Sequence, residues 1–575
     1  MTNGSLLAAA AVALLVPGTA LRAQAGGRTQ VRCAGQTITE VVIRAEAPGF
    51  GGIFSRSPFL GHMVTSLHAT TAPSVIRNFV LLKQGAPCDP VLRSESERIL
   101  RAMPFLSDAS VTAYPDGRDG VRVEVVTIDE PSLLGSVGIV NDSPYLTALT
   151  LGTQNLLGNA VLASASWRDG FVYRDRFAAR YTNYQLFGRP HQLQLVAARR
   201  ELGSDWLAEV SYPFLTDVQR YAWRVSGGYV DEYARFLRPR GVPSSLEVQR
   251  RFADAGAMLR VGSTGLLGLL GAQLSFEENE PAGAPILVTD SGVVVDTTSA
   301  LIGRYRTTRS ARFNTLLGLR RVSFVRVNGF DALSGPQDLR RGTQLSLTVG
   351  HSLPASRGVA RHEKYVGANV FFGVGGAWSY AALQGDVEGR RSSDTNGWDD
   401  VLTNGRFAWY LKPHPRHLVL ADVSWGGGWS ARVPYQLDLG ARTGGLRGYD
   451  DAEVGGARRV IGRLEQRWRI GSFRGTADAG VGTFLDVGQV WAGDVPLGLD
   501  SGLREAAGFS IMAAVPPRSQ RMWRLDVAFP IDRRDGARWG MRLTNVDRTR
   551  TFHSTPGDMR RIRERVLPQS IFNWP

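Results

Sequence analysis

The chain reads as mainly β, a large transmembrane antiparallel barrel preceded by one small β-α-α-β-β domain, and three observations predict this. The first is alternation. In 161–168 the odd positions Val161, Ala163, Ala165 and Trp167 are apolar and most even ones polar. In 221–229, Tyr221, Trp223, Val225 and Tyr229 oppose Ala222, Arg224, Ser226 and Gly228, and 344–350 and 523–529 repeat the pattern. Arginine thus stands opposite aromatics in strand after strand, which lipid outside and water inside explain more simply than a sandwich with a buried apolar face. The second is that beyond Val16 no run approaches the roughly 18 consecutive apolar residues of a spanning helix. Strands must then do the spanning, and backbone groups in lipid must all be paired, which forces the sheet to close. The third is that residues 36–130 follow a different period from the rest.

From the N-terminus, Leu6 to Val16 is an unbroken apolar run, Pro17-Gly18 interrupts it, and Ala23-Gln24-Ala25 has the small-x-small form of a cleavage site. Residues 1–25 therefore read as a secretory signal, with the α-amine as their only early positive charge. In an exported chain disulfides persist, so the two cysteines, Cys33 and Cys88, are expected to bridge, the alternative being two unpaired thiols. The formal charge of +15 is spread along the chain and carried by arginine except at Lys83, Lys364 and Lys412. That bias reads as genome base composition, and export removes the chain from nucleic acid, so no nucleic-acid partner is expected.

In the first domain, 37–44 alternates as a strand. Pro73 to Leu82 places Val75, Ile76, Phe79, Val80 and Leu82 on a helical stripe opened by Pro73 and ended by Lys83-Gln84-Gly85. Pro90 to Met103 is a second helix with Leu92, Ile99, Leu100 and Met103 on one side, and 110–114 with 121–128 form a hairpin. This order, with Lys83-x-Gly85, Glu95-Ser96-Glu97-Arg98-x-Leu100-Arg101 and Phe105-Leu106-Ser107-Asp108-Ala109-x-Val111, resembles a POTRA domain over 36–130, interrupted by a glycine-containing insertion at 45–71.

The barrel is assigned to 131–552, with polar stretches at 277–284 and 386–400 read as loops. Its most informative stretch is Gly445-Leu446-Arg447-Gly448-Tyr449. Downstream, Leu464, Trp468 and Ile470 form one face of a strand, which turns Arg463, Glu465, Arg467 and Arg469 to the lumen, and Leu485 and Val487 likewise turn Asp486 inward. A guanidinium held by a carboxylate through charge-assisted bonds would pin the loop inside the barrel. Gly444, Gly445 and Gly448 would allow the tight turns this needs. The expected lock is Arg447, Gly448, Tyr449, Glu465 and Asp486; the alternative is one more solvated loop arginine.

The Leu446-Arg447-Gly448-Tyr449 element, Glu465, Phe484-x-Asp486-x-Gly488, Asn155-Leu156-Leu157-Gly158, Tyr212-Pro213-Phe214 and Arg524-x-Asp526-x-Ala528-x-Pro530 occur in the order found in the BamA/TamA superfamily, with its bacterial surface antigen type of barrel, and the chain resembles that superfamily. The resemblance implies a bacterial outer-membrane barrel with a periplasmic POTRA domain that inserts or exports polypeptides. Its implied partners are outer-membrane lipids, extended client polypeptides at the POTRA edge, and periplasmic or lipoprotein subunits. The strand count of about 16, at about 26 residues per strand with its connection, rests on this resemblance more than on periodicity.

Catalytic readings fare badly. No G-x-S-x-G, H-E-x-x-H or Walker motif occurs, so no catalytic residue, metal or cofactor is expected. His414-Pro415-Arg416-His417 has metal-like spacing, but the proline forbids a regular helix. Asp394, Asn396, Asp399 and Asp400 could hold calcium, though a solvated loop is the simpler explanation. Two alternatives to insertion or export stand: a channel or receptor that keeps the fold, and a barrel enzyme acting on lipid. The final strand, with Trp539, Met541 and Leu543 outward, is expected to run to about Phe552. The tail, 553–575, lacks alternation and is expected in the periplasm.

Overall fold

The computed structural model describes residues 29–49, 68–141, 145–169, 175–239, 241–289, 291–297, 300–353, 363–391, 397–449, 454–473, 475–531, 539–547 and Met559. The expected signal peptide at 1–25, Asp394 and Asn396, and most of the tail lie outside these residues.

The N-terminal unit contains β1 (Thr37–Glu46), α1 (Pro73–Arg77), α2 (Pro90–Ala102), β2 (Leu106–Asp116) and β3 (Gly120–Asp129). The sheet order is β1-β3-β2, with β1 parallel and β2 antiparallel to β3. Alternation in β2 and β3 buries Val111, Ala113, Val121, Val123 and Val125 on one face, against Val75, Ile76, Ile99 and Leu100. Pro90 opens α2, and the Asp89 carboxylate caps it by accepting from the Val91 and Leu92 backbone N–H groups. The first helix is shorter than its stripe predicts. It ends at Arg77, while Phe79, Val80 and Leu82 stay buried beyond it. Asn78 is drawn to a barrel turn, its amide donating to Gln185 at 2.8 Å, and the Leu81 N–H donates to the Ser96 hydroxyl at 2.9 Å. A single turn followed by a packed non-helical segment meets the same apolar spacing as a full helix.

Among the described residues, twenty strands close into a ring in which every neighbouring pair is antiparallel, and a short strand, Gly292–Val295, adds a hairpin to Leu266–Thr289. The expected count of about 16 is too low. The first six barrel strands are only 8 to 10 residues long and follow one another within a few residues, so the spacing falls well below the assumed 26 residues. Later strands reach 24 residues. These long strands also overturn the two expected loops. Residues 277–284 continue the strand Leu266–Thr289, and 386–391 and 398–400 belong to Ser379–Arg391 and Trp398–His414. The strands run past the apolar belt, where both faces meet polar surroundings and alternation lapses. Within the belt the two faces are distinct: Leu345, Leu347 and Val349 are exposed on the outside, whereas Gln344, Ser346 and Thr348 are buried inside.

The ring closes where the last strand, Gly540–Asp547, meets the first, Leu133–Asn141, among the described residues through three register pairs: Met541 with Asn141, Arg542 with Val140 and Leu543 with Ile139. The described part of the last strand ends at Asp547, and 548–552 lie outside the described residues. Of the tail, Met559 is the residue described. It is fully buried with Leu402, Tyr435, Leu437, Ala457 and Val495, beside the inner face of Gly426, toward the end of the ring far from the N-terminal unit.

The N-terminal unit docks on the near end of the ring through buried polar contacts. Glu95 binds the Arg98 guanidinium, the Thr216 hydroxyl and the Asp217 N–H, and Arg98 donates to the Leu215 carbonyl at 2.9 Å. Arg101 forms a bidentate pair with Asp338, both bonds at 2.8 Å. Glu130 accepts from the Ser519 hydroxyl and the Gln520 N–H, while Asp129 accepts from Thr71, whose hydroxyl also binds Asn155. The end of the 45–71 insertion thus ties the unit to the first barrel turn.

Cys33 and Cys88 are bonded, with Cα atoms 4.9 Å apart, and link the start of the unit to the segment before α2 across a separation of 55 residues. Chain entropy alone gives a bridge over such a loop about 4 kcal/mol. Cys33→Ala with Cys88→Ala should lower the unfolding midpoint of the N-terminal unit and leave the barrel transition in place, as followed by calorimetry. Equal midpoints would show that the bridge contributes nothing.

A second prediction concerns pH. Burial pushes the Glu95 carboxyl up, but Arg98, Thr216 and Asp217 outweigh it and hold the group below the usual carboxylate range. Its pKa is therefore lower in the native protein than in the unfolded chain. The stabilisation by this buried carboxylate, which binds the barrel turn through Thr216 and Asp217, is complete above the ordinary carboxylate pKa and is lost as pH falls through the depressed value. Cysteine crosslinking between α2 and the 213–220 turn should stay constant from neutral pH to about 5 and decline only in stronger acid. Glu95→Gln should weaken it at every pH.

Candidate functional site: a loop locked inside the barrel

Residues 430–449 leave the ring after the strand His417–Trp429 and fold back into the lumen, and 454–457 lead into the next ring strand, Arg458–Phe473. At the tip of this loop, Gly444 and Gly448 take positive φ of 93° and 86°, conformations that favour glycine. A side chain on Gly445 would collide with the Leu439 carbonyl, and one on Gly448 would press on Ala528 and Pro530. These turns bring Leu446 and Tyr449 into a buried cluster with Leu439, Ile461, Val490 and Ala506. The Tyr449 hydroxyl donates to the Glu505 carbonyl at 2.9 Å. Arg447 is thereby aimed at the inner wall.

There it meets the two acids that the strand pattern turns inward. The Arg447 Nε donates to Asp486 Oδ2 at 2.8 Å and its Nη2 to Oδ1 at 2.5 Å, a bidentate pair, while Nη1 donates to Glu465 Oε2 at 3.1 Å. The Arg447 backbone N–H also donates to Asp486. The guanidinium lies 3.5 Å from the centre of the Phe484 ring, so the Phe484-x-Asp486 strand offers both a π face and a carboxylate. Asp486 is fully buried and Glu465 is 5% exposed, whereas Leu464, Ile470 and Leu485 on the opposite face are exposed. The five residues expected to form the lock are thus brought together.

The structure adds members that were not assigned. Arg524 holds both Glu465 oxygens, at 2.7 and 2.8 Å, and donates to Asp526 and Ser510. Arg467 also binds Glu465, and Arg463 donates to the Gly444 and Gly445 carbonyls at 3.0 and 2.8 Å. Arg524 belongs to a motif that sequence singled out, and alternation could have turned it inward; its partner could not be read that way. A second pin lies near the start of the loop. Arg432 makes bonds of 2.9 to 3.1 Å to Asp399 and also binds Glu363, while Arg390 binds Asp400 and Glu277. Asp399 and Asp400, considered above as calcium ligands, therefore face arginines. His417 stacks on Trp468 at 5.2 Å between ring centres.

No family model matches the chain, and no curated protein matches it. Among solved structures, BamA from Haemophilus ducreyi lacking POTRA domains 1–3 is similar at a TM-score of 0.39 and 13% identity, over 89% of this chain and 84% of that one. CdiB from Escherichia coli is similar at 0.46 and 11%, over 89% and 77%. OpdK from Pseudomonas aeruginosa with vanillate is similar at 0.30 and 11%, over 72% and 96%. At these scores the likeness carries no inference about function.

Removing one partner of a buried ion pair costs about 3 to 5 kcal/mol, because the other charge is left uncompensated. Arg447→Ala should leave the barrel folded and heat-modifiable but expose 441–460 to protease. Arg447→Lys should rescue only in part, since an ammonium cannot make the bidentate pair. Unchanged cleavage in both variants would show that the loop is held by its apolar cluster instead.

Proposed function

We propose that the chain is an outer-membrane barrel of the BamA/TamA kind that inserts or exports polypeptides, with the N-terminal unit as a periplasmic POTRA domain. The observation that carries this reading is the placement of the lock beside the closing seam. Gly448, next to Arg447, abuts Gly540 at the start of the last strand so closely that a Cβ on Gly540 would stand 3.0 Å from the Gly448 Cα. Among the described residues that strand is joined to the first by three register pairs and by the Asn545 amide donating to the Gly135 carbonyl at 3.2 Å, whereas the pair 241–263 with 266–289 shares nineteen register pairs. A seam this short separates at low cost, and its freed edges can accept a client strand by backbone pairing.

The remaining parts fit the same reading. The apolar outer belt suits lipid, and the polar lumen suits water. β1 is the edge of the N-terminal sheet to which an extended segment can add, since the outer edge of β2 is already bonded by Val31, Arg93, Glu97 and Arg101 at Ala113, Val111 and Ala109. The near end of the ring is then periplasmic, and the lock hangs from the extracellular end. Outside the cytoplasm, where no nucleotide is supplied, folding of the client itself would drive the reaction.

Asn141→Cys with Met541→Cys tests the proposal. Oxidised, the pair should hold the seam shut and abolish client folding in liposomes, and reduction should restore it. Full activity in the oxidised protein would sink the seam mechanism. Ion conductance without client folding would favour a channel, and release of fatty acid a lipid enzyme.

A further inference from the structure

Six successive long strands carry a row of titratable side chains on the outer wall, at the far edge of the apolar belt. The row comprises Arg251, Glu278, Arg309, His351, Lys364 and Arg391. Register places Arg251 opposite Glu278 and Glu278 opposite Arg309, and His351 opposite Lys364 and Lys364 opposite Arg391. Just inside the row stand the exposed apolar residues Phe276, Phe313, Val349 and Val387.

Glu278, the acid in the row, is covered by its neighbours. Arg309 Nε lies 2.5 Å and Arg251 Nη1 3.6 Å from its carboxylate, whose side chain is 7% exposed, while the two arginines remain 44% and 56% exposed. His351, Lys364 and Arg391 are exposed as well. Farther out on the Arg251 side, Asp231, Glu247 and Glu280 offset the positive charge, so the cationic centre of the row is Arg309 to Arg391.

We propose that this crescent binds phosphate-bearing headgroups of lipids in the outer leaflet, a proposal that rests on the barrel being membrane-embedded. Cations directly above an apolar belt meet a lipid where its headgroup and acyl chains join. The apolar residues take the chains, and Arg309, Lys364 and Arg391 take the phosphate. A soluble phosphate would gain only the second contact.

The test uses the full chain, reconstituted in vesicles of phosphatidylcholine and phosphatidylglycerol. Lipid retained by the protein is counted by native mass spectrometry after gentle detergent release. The wild type should retain phosphatidylglycerol in preference, and the combined variant Arg309→Gln, Lys364→Gln, Arg391→Gln should lose that preference by at least about tenfold. The variant's heat-modifiability reports that its barrel is folded, and a charge-preserving variant, Arg309→Lys with Arg391→Lys, should keep most of the preference. If all three proteins float with the vesicles and retain the two lipids alike, the crescent alone is overturned. Failure of the wild type to float overturns the membrane reading and the crescent with it.

Discussion

The lumen of this barrel is organised around one buried guanidinium. Arg447 sits in a space too dry to hold a charge unaided, and it stays there because Asp486 faces it squarely and Glu465 is shared with Arg524 and Arg467. Each acid needs its arginines as much as they need it, since an unpaired charge of either sign would be costly at this depth. The geometry demands glycine at Gly444 and Gly448, where the backbone enters the left-handed region, and at Gly445, where it passes a carbonyl. Sequence, loop shape and electrostatics therefore specify one arrangement together.

Much of this was legible because a strand has a period of two. Exposed Leu464 and Leu485 imply inward Glu465 and Asp486 without any knowledge of the tertiary structure. The same rule marks the β-α-α-β-β unit by contrast, since its helical stripes break the period. The rule fails where its cause is absent. Beyond the apolar belt both faces of a strand are polar, so 277–284 looks like a loop although it is strand. It also fails to count, because short strands with tight turns and long strands share the same alternation.

Apart from the lock's own pairs, partnerships across the lumen were not legible. Arg432 and Asp399 are 33 residues apart, and Arg524 and Glu465 are 59 apart. Alternation says which side chains point inward, but only the closure of the ring decides which of them meet. The helix stripe at 75–82 failed for a related reason: Asn78 finds a partner in Gln185, on a barrel turn more than a hundred residues away.

The lock and the seam act on one strand from different sides. Gly448 rests on Gly540, so the last strand is backed at its far end by a loop that is itself tied to Asp486. Its pairing with the first strand, three register pairs among the described residues, lies at this same far end, beside the backing and the pairing with Arg521–Pro530. Glycine on both sides of the contact removes any side chain that would interlock. Under the proposed function, the loop would support the strand without bolting it, and parting of the seam would leave Arg447 paired.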